Sequence, residues 1–285
     1  MTEHARILER KTEATTASAP VLPLSRKDGF FEFDRVRAKV IGESFAKNYR
    51  GGNPFPHIVL DNFIDLEVLR EVNRQFPQPE KGRFDDAWSH LKTGYILGQI
   101  RSAYIQDLLG ALNSAAFLNF LEKMTGIRGL VSDPRFTGGG LHETRRGGHL
   151  SIHADFNFHP ITKLRRRLNL ILFLNEDWNP DWGGTLELWD KGMSQCVKSV
   201  VPDLGRAVIF NTDSDSYHGH PDPLQVPESV TRRSIALYYY TAPDSFRLPH
   251  TTKWRKRPGS DDSVPPVTDR VKHILRHYFG RGEEA

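Results

Sequence analysis

The residue types best suited to chemistry lie close together between His149 and His159. Apolar and polar residues alternate around His153 and Asp155, which are two positions apart. In a β-strand, residues i and i+2 point to the same face, so this spacing places an imidazole beside a carboxylate. The two groups can occupy adjacent positions around an octahedral metal ion. The pair alone is weak evidence for a metal site, and a third ligand is needed.

The third ligand must be chosen among the 12 histidines of the chain. His218 follows the predicted strand at residues 207–211, and the glycine directly after it lets the backbone turn and leaves the ring room to face inward. His220 would face the same way in a strand, but Pro221 favours a turn there. His218 is therefore the predicted ligand. Two histidines and one carboxylate with open positions form the ligand set of non-haem iron(II) oxygenases.

Other histidines have no second ligand at metal spacing, and hydrogen-bonded or surface positions are predicted for them. They are His57, His90, His142, His149 and His159. His142 is a partial exception because its strand precedes the metal strand, which allows it to line the same pocket.

Two arginines open an otherwise apolar segment, and burial of an arginine is costly unless it meets a negative charge. Alternation places the even-numbered residues from Arg232 to Tyr238 on one face and the odd-numbered residues from Arg233 to Tyr239 on the other. The first set is smaller and more polar, which suits a cavity wall, so Arg232 is predicted to face the metal. An iron(II) ion, Asp155, Arg232 and a dicarboxylate co-substrate would together be neutral, with the guanidinium holding the far carboxylate.

The composition indicates a folded protein without a disulfide framework. The 285 residues are 38% hydrophobic, with 17 Phe and 5 Trp, and Cys196 is the single cysteine. No apolar run is long enough to span a bilayer, and the first residues do not resemble a signal peptide, so a cytoplasmic location and no membrane partner are expected. The net charge is +4, and the basic clusters at Lys163 with Arg165–Arg167 and at Lys253–Arg257 are interpreted as solvated loops. Without a nucleic-acid module signature, no nucleic-acid partner is expected.

Helical periodicity dominates the first half of the chain. Residues 1–27 are predicted to be a flexible leader. Helices are predicted at residues 33–49, 66–76 and 105–124, with a short strand within 54–63 and Gly126 as the last helix stop. Residues 78–100 contain aromatic side chains among charges and glycines, so a loop over a pocket is one interpretation of them.

From about residue 130 the pattern changes to short strands. They are predicted at residues 138–144, 149–155, 167–175, 185–189, 197–202, 206–211 and 233–241, with a turn at Gly147-Gly148. We therefore predict an α+β, mainly β, fold in which a β-sandwich or barrel is buttressed by N-terminal helices. Its parts form a single domain at 28–285: helical support at 28–129, a core at 130–243 and an extension at 244–285, where residues 267–279 are predicted to form a closing helix.

These motifs together resemble the prolyl-4-hydroxylase-like group of 2-oxoglutarate- and iron(II)-dependent dioxygenases. The residues that carry the resemblance are His153-x-Asp155, His218-Gly219, Arg232-x-Ser-Ile235 and the stretch from Leu174-Asn-x-x-Trp178 to Gly183-Gly-x-Leu186. The resemblance covers roughly residues 138–241, and residues 54–76 match more loosely. It implies a double-stranded β-helix (jelly-roll, cupin-like) core with the metal at its open end.

The resemblance also implies an activity. Such an oxidoreductase uses Fe(II), 2-oxoglutarate and O2, with ascorbate as an auxiliary reductant, and releases succinate and CO2. His153, Asp155 and His218 would bind the metal, and Arg232 would bind the co-substrate. Halogenating relatives lack the carboxylate that Asp155 supplies, so hydroxylation of an unactivated C–H bond is expected.

The chain departs from the family pattern on the strand before the metal strand, where the family often has a tyrosine. This sequence offers His142 or Glu143 there. On the strand after the metal strand, Asn169, Ile171 and Phe173 share a face and are predicted to line the co-substrate pocket instead.

Two other classes of function are compatible with parts of this pattern. The same three ligands suit a catalytic zinc ion in a hydrolase, but that chemistry calls for a general base rather than a buried arginine. A jelly-roll binding module without activity would be expected to have lost a ligand, and none is missing. The substrate is open: a small or amino-acid-like molecule is favoured, and a peptidyl proline is the alternative.

Overall fold

The computed structural model describes residues 19–78, 84–86, 89–244 and 247–266. Its helices are α1 Arg35–Arg50, α2 Leu66–Arg74, α3 Ala103–Leu112 and α4 Ala115–Thr125. Its strands are β1 Leu24–Lys27, β2 Phe30–Phe33, β3 His57–Leu60, β4 Phe84–Asp86, β5 Ser89–Tyr95, β6 Val131–Ser132, β7 Gly140–Ala154, β8 Arg165–Phe173, β9 Leu186–Trp189, β10 Cys196–Val200, β11 Ala207–Asn211, β12 His218–His220, β13 Arg232–Thr241 and β14 Lys253–Trp254.

Twelve of these strands form one antiparallel sheet. Its main path runs β10-β9-β12-β7-β13-β8-β11-β3, while β5 and β14 pair with β7, β4 pairs with β5, and β6 pairs with β13. The described strands thus fold as a double-stranded β-helix, and the predicted α+β, mainly β, class is confirmed.

Strand β7 is 15 residues long and joins both halves of the jelly roll. Along one edge its first part pairs with β13 and its last part with β12, and along the other edge it pairs with β5 and then β14. The turn predicted at Gly147-Gly148 is wrong, because β5 continues to pair with β7 on both sides of these glycines. The strand therefore bends there, with Gly147 at φ +77°, without reversing.

The largest part of the core lies between the outer face of the sheet and the helices. Leu168, Leu170 and Leu172 of β8 belong to one buried cluster with Ile235 and Leu237 of β13. Side chains of α3 and α4 complete that cluster, including Leu108, Leu112, Phe117, Phe120 and Leu121. The other face of β8 looks into the jelly roll, so both faces are covered. This explains the near-continuous apolar run in its sequence.

The N-terminal boundary differs from the prediction. Leu22 is 1% exposed within the main core, and its N–H donates to the carbonyl of Phe63. β1 then pairs with β2. Residues 19–27 are therefore part of the fold rather than of a flexible leader, whereas residues 1–18 lie outside the described residues. The physical reason is the burial of the large apolar side chain of Leu22, which stabilises the folded segment. The polar composition of the surrounding residues gives no indication of this burial.

The predicted helical support also supplies strands to the core. β3 pairs with β11, and β5 pairs with β7, so both extend the jelly-roll sheet. The interpretation of residues 78–100 as a loop over the pocket is wrong for the described part. β4 and β5 form a hairpin there, and β5 is a wall of the cavity described below.

The single helix predicted at residues 105–124 is two helices. Asn113 ends α3, and Ser114 caps α4 by accepting a hydrogen bond from the N–H of Phe117. A serine hydroxyl that satisfies a free N–H makes a new helix start favourable at this position. Gly126 ends α4 in the left-handed conformation at φ +79°, as predicted.

The C-terminal extension contributes to the sheet as well, because β14 pairs with β7 opposite Ala154 and His153. The helix predicted at 267–279 lies outside the described residues. Within the described ranges, no helix has both the length and the apolar character needed to cross a membrane.

Candidate metal centre

His153, Asp155 and His218 converge at the inner wall of the jelly roll. β12 lies beside β7 with His218 directly opposite His153, and Asp155 follows the last residue of β7. One ligand atom from each residue lies within 4.8 Å of the others. The Nε2 atoms of His153 and His218 are 3.7 and 3.5 Å from the carboxylate oxygens of Asp155. Three such atoms can share one ion and leave further positions open.

Hydrogen bonds fix the tautomer of both rings. Nδ1 of His153 donates to the carbonyl oxygen of Ser151 at 2.8 Å, and Nδ1 of His218 donates to that of Ser216 at 3.0 Å. A carbonyl oxygen only accepts, so each ring carries its proton on Nδ1. The Nε2 lone pairs are therefore directed at the shared site, as in metal-binding histidines generally.

Gly219 owes its identity to close packing rather than to the turn proposed from the sequence. A Cβ at this position would lie 2.7 Å from the carbonyl oxygen of Leu150 on β7. The absence of a side chain lets β12 approach β7 closely enough to bring His218 to His153. His220 continues the same strand, so no turn occurs at this point.

Asp155 is held by two side chains of β8. Its Oδ2 accepts a hydrogen bond from Nδ2 of Asn169 at 2.7 Å and lies 3.0 Å from Nη2 of Arg166. The Arg166 side chain is buried, and its guanidinium lies 3.4 Å from the ring centroid of Tyr238. The interpretation of the 163–167 cluster as solvated charge is therefore wrong for Arg166, whose buried guanidinium contacts the Asp155 carboxylate.

Sequence alternation could not reveal the role of Arg166. Arg166 and Asn169 are three positions apart, and such residues point to opposite faces of a regular strand. A register shift in the pairing of β13 with β8 reverses the alternation between them. Both side chains then face Asp155, and the guanidinium donates to the Asn169 side-chain oxygen.

Burial and charge set the protonation of the three ligands. Burial, followed by His218, lowers the pKa of His153 to about 3. Burial also lowers the pKa of His218. Burial alone would raise the pKa of Asp155, but Arg166 and the two histidines outweigh it and hold the pKa well below its usual range. The site thus presents two neutral imidazoles and one carboxylate, the forms that bind a metal ion.

Arg232 lies on the wall of the same cavity and is 5% exposed. Its Nε donates to the carbonyl oxygen of Gly184 at 2.7 Å, and its guanidinium lies 5.0 Å from the ring centroid of Phe173. Gly184 has φ +71°, and a Cβ there would come within 3.0 Å of the Arg232 side chain. Among the described residues no carboxylate forms an ion pair with Arg232, and burial lowers its pKa to about 9.

Arg233 points to the opposite face. Its Nε lies 3.1 Å from Oε1 of Glu143, which is itself 3% exposed, and its guanidinium packs on Phe76. Glu143 therefore faces away from the cavity, so of the two residues that replace the family's tyrosine only His142 lines it.

The cavity has a volume of about 310 Å³. The described residues that line it include the three ligand residues, Arg166, Arg232, His142, Asn169, Ile171, Lys92, His220 and Tyr238. Of the predicted co-substrate residues, His142 and Asn169 reach the cavity, while Phe173 lies beneath Arg232. Segment 247–266 contributes Thr251, Thr252, Trp254 and Pro265, and the Trp254 ring lies 4.8 Å from the His153 ring.

The described residues that line the cavity carry more positive charge than the sequence predicted, since the charges of iron(II), Asp155, Arg232 and a dicarboxylate sum to zero. Asp155 is the single carboxylate among the described lining residues, whereas Arg166, Arg232 and Lys92 are cationic types. Burial, followed by Arg232, lowers the pKa of Lys92 to about 8. The sequence count omitted Arg166 and Lys92. Among the described lining residues, cationic side chains therefore outnumber carboxylates three to one.

The double-stranded β-helix presents two histidines and a carboxylate to a basic cavity, which is the donor set typical of non-haem iron(II) oxygenases. The family model described as the 2OG-Fe(II) oxygenase superfamily matches residues 139–240, which contain all three residues and Arg232. This part of the chain, about a third of its length, is therefore similar to the oxygenases that use Fe(II), 2-oxoglutarate and O2. The three donor residues fit Fe(II). The buried guanidinium of Arg232, which has no acidic partner among the described residues, fits a dicarboxylate co-substrate.

Individual proteins are similar to parts of this chain. The chain is 35% identical over 79 residues to the mouse (Mus musculus) protein "Prolyl 3-hydroxylase OGFOD1", covering 26% of this chain and 14% of that relative. A prolyl-4-hydroxylase of Pseudomonas putida has a similar fold, with a TM-score of 0.50 and 16% identity over 71% of this chain and 100% of that one.

A further fold likeness is to a prolyl hydroxylase of Trichoplax adhaerens, solved with a hypoxia inducible factor peptide fragment. The TM-score is 0.50, with 17% identity over 72% of this chain and 91% of that chain. These structures show that the chain shares the double-stranded β-helix fold with them.

Proposed function

We propose that this oxygenase hydroxylates an unactivated C–H bond of a small, carboxylate-bearing molecule of the amino-acid type. In this proposal His153, Asp155 and His218 bind Fe(II), and Arg232 binds 2-oxoglutarate. The observation that carries it is the buried Arg232 guanidinium, which faces the metal site and has no acidic partner among the described residues. Burying such a charge is costly unless a ligand supplies the opposite charge.

Each residue has a defined task in this proposal. The iron and 2-oxoglutarate, when bound, supply the oxidising power that transfers one oxygen atom of O2 to the substrate and the other to succinate, with loss of CO2. Arg166 and Asn169 hold the Asp155 carboxylate in place. Arg232 offers a planar fork to the distal carboxylate of 2-oxoglutarate, and Gly184 fixes the orientation of that fork.

The charge of the cavity supports an anionic substrate. Among the described lining residues, cationic side chains are in excess over the single carboxylate, that of Asp155. A free amino acid or a related acid brings a carboxylate that compensates part of this excess. A prolyl residue within a peptide brings no charge of its own.

Peptidyl-prolyl hydroxylation is the second candidate, and the likeness to the prolyl 3-hydroxylase of mouse favours it. That likeness covers 79 residues, which are 26% of this chain and 14% of that relative.

Succinate release from 2-oxoglutarate separates the two candidates. Fe(II)-loaded enzyme is assayed with free L-proline, other free amino acids, the same compounds as carboxamides, and prolyl peptides blocked at both ends. We expect substrate-dependent succinate with one or more free acids and its loss when the carboxylate becomes an amide. Turnover of blocked prolyl peptides without turnover of any free acid would reject the amino-acid proposal in favour of the peptide candidate.

A further inference from the structure

Residues 247–266 are referred to as the strap. Four of them, Thr251, Thr252, Trp254 and Pro265, line the cavity that holds the metal ligands. The strap lies outside residues 139–240, the part of the chain that the superfamily model matches. The sequence predicted only an extension there, with solvated charge at its basic cluster. Neither the sequence pattern nor the superfamily match therefore accounts for these four side chains at the site.

The strap completes the pairing of β7 beside the metal ligands. On the edge of β7 that faces away from β12, β5 pairs as far as Leu150 among the described residues. β14 pairs from His153 onwards, and the N–H of Arg255 donates to the carbonyl oxygen of Ile152 at 2.8 Å. Without these contacts the edge would present unpaired backbone groups. Such an edge frays easily, so the strap restrains the backbone that carries His153 and Asp155.

Trp254 contacts a metal ligand directly. It is the pairing partner of His153, and paired residues of an antiparallel sheet point to the same face. The two ring centroids are 4.8 Å apart, and the ring planes are inclined by 41°. Lys253 precedes it and, by alternation, points to the opposite face. The indole therefore limits the space in which the His153 ring can rotate.

Asn157 connects the strap to the other ligand of this strand. It lies two residues after Asp155, and its side chain donates to the carbonyl oxygen of Leu248 at 2.9 Å and accepts from the N–H of His250 at 2.8 Å. Its own N–H donates to the carbonyl oxygen of His250 at 3.3 Å. Three hydrogen bonds to the strap therefore restrain the loop that leaves Asp155.

Arg257 anchors the strap farther along the chain. Its Nη2 lies 2.8 Å from a carboxylate oxygen of Asp222 and 2.9 Å from one of Asp262. Its backbone N–H also donates to the Asp262 carboxylate at 3.0 Å. Asp222 follows β12, the strand that carries His218. The strap is thus attached beside both strands from which the metal ligands come.

We infer that the strap is a positioning element of the metal centre, with Trp254 and Asn157 as its positioning residues. It holds the His153 ring and the Asp155 carboxylate in the arrangement that a metal ion requires. Ligands that are already in place lose less conformational freedom on binding, so a loosened strap should weaken metal binding and speed metal release. The inference rests on the assignment of the three ligands in the proposed function and does not depend on the substrate.

Cobalt(II) is a suitable probe, because its visible absorption bands respond to the geometry of its ligands. The full chain and its variants are titrated with Co(II) against a competing chelator, and release into excess chelator gives the dissociation rate. We expect Trp254→Ala to weaken Co(II) binding by roughly tenfold or more, to speed release and to shift the absorption bands. Trp254→Phe keeps an aromatic ring beside His153 and should restore most of the affinity and the wild-type bands.

Two further variants separate positioning from a general effect on folding. Lys253→Met changes the neighbouring residue on the opposite face, so it is the matched control and should alter neither the affinity nor the bands. Asn157→Ala removes both side-chain hydrogen bonds to the strap and should weaken Co(II) binding by roughly three- to tenfold. Urea denaturation of the metal-free proteins measures the stability of each variant.

The possible results are distinguishable. Wild-type affinity and bands in both Trp254→Ala and Asn157→Ala would overturn the inference and leave the metal assignment standing. An equal loss of affinity in Lys253→Met, or a loss of stability with unchanged bands, would also overturn it, because the strap would then only cover the sheet edge. If Trp254→Ala does not fold, the comparison of Asn157→Ala with Lys253→Met decides. Wild-type protein that binds no Co(II) would contradict the metal assignment itself, and the inference with it.

Discussion

Individual side chains divide into those whose role follows from spacing and those whose role depends on the fold. The His-x-Asp spacing and the alternation along residues 232–239 depend on strand geometry alone, so they could be predicted. Arg166 faces Asp155 only because of the register shift in β8, and Lys92 reaches the cavity only because β5 pairs with β7. Neither pairing has a signature in the local sequence. The ligand and Arg232 roles themselves stay predictions until they are measured.

Arg232 and Arg233 provide a matched pair of variants. Arg232→Met should weaken 2-oxoglutarate binding by roughly 30- to 1,000-fold, because a charge-assisted contact of about 2–4 kcal/mol is lost, and Arg232→Lys should recover only part of it. Metal affinity should not change. Calorimetry on Ni(II)-loaded protein measures both quantities.

Arg233→Met should act on stability instead. It leaves the buried Glu143 carboxylate without its ion-pair partner, but Arg233 is partly exposed, so the expected loss is about 1–3 kcal/mol of unfolding free energy. Urea denaturation measures the loss. A large fall in 2-oxoglutarate affinity in Arg233→Met, with none in Arg232→Met, would exchange the roles of the two residues.

Arg166 is expected to be a positioning residue for the metal. Arg166→Met removes the cation that holds Asp155, and groups that orient a ligand typically change metal affinity by about 10- to 100-fold. A competition titration with a metal chelator measures this, and Arg166→Lys should restore part of the affinity. Arg165→Met, which removes ion pairs to the surface residues Asp213 and Asp244, is the control. Equal metal affinity in Arg166→Met and wild type would refute the role.

At the scale of elements, periodicity located most helices and strands and failed where capping or long-range pairing decides. The apolar pattern runs from residue 105 to 124 without interruption, yet the Ser114 hydroxyl starts a second helix. The two glycines at 147 and 148 have the composition of a turn, yet pairing with β5 carries β7 through them. In both cases a hydrogen bond that the pattern does not encode determines the structure.

The helix boundary at Ser114 can be tested directly. Ser114→Ala removes the cap of α4 and should lower the unfolding free energy by about 1 kcal/mol, measured by urea denaturation. Ser114→Asp keeps an acceptor at this position and should preserve the stability. Metal affinity should be the same in all three proteins, because α4 packs on the outer face of the sheet. A fully stable Ser114→Ala would show that the cap does not stabilise this boundary.

For the whole molecule, the fold class could be predicted because helical segments precede a long series of short strands. The boundaries could not, since β3, β5 and β14 join the core sheet from outside residues 130–243. Their pairing partners are far away in sequence, so no local composition marks them. The single-domain organisation of residues 28–285 stays a prediction.

The position at which the fold begins can be tested by truncation. A chain that begins at Ala19 keeps Leu22 and β1, whereas a chain that begins at Asp28 loses both. The shorter chain should lose about 2–4 kcal/mol of unfolding free energy, and Leu22→Ala in the full chain should show a similar loss. Thermal and urea denaturation measure it. Equal stability of the two truncated chains would restore the original leader boundary at residue 27.

His153, Asp155, His218 and Arg232 are expected to bind the metal and 2-oxoglutarate as one site. An anaerobic titration of Fe(II)-loaded protein with 2-oxoglutarate tests it most directly, with metal-free protein, Asp155→Ala and Arg232→Met as comparisons. We predict one 2-oxoglutarate per iron in the wild type, little binding without metal or in Asp155→Ala, and strongly weakened binding in Arg232→Met with iron retained. Binding that is equally tight without metal and in Arg232→Met, or no binding to the iron-loaded wild type, would contradict the account.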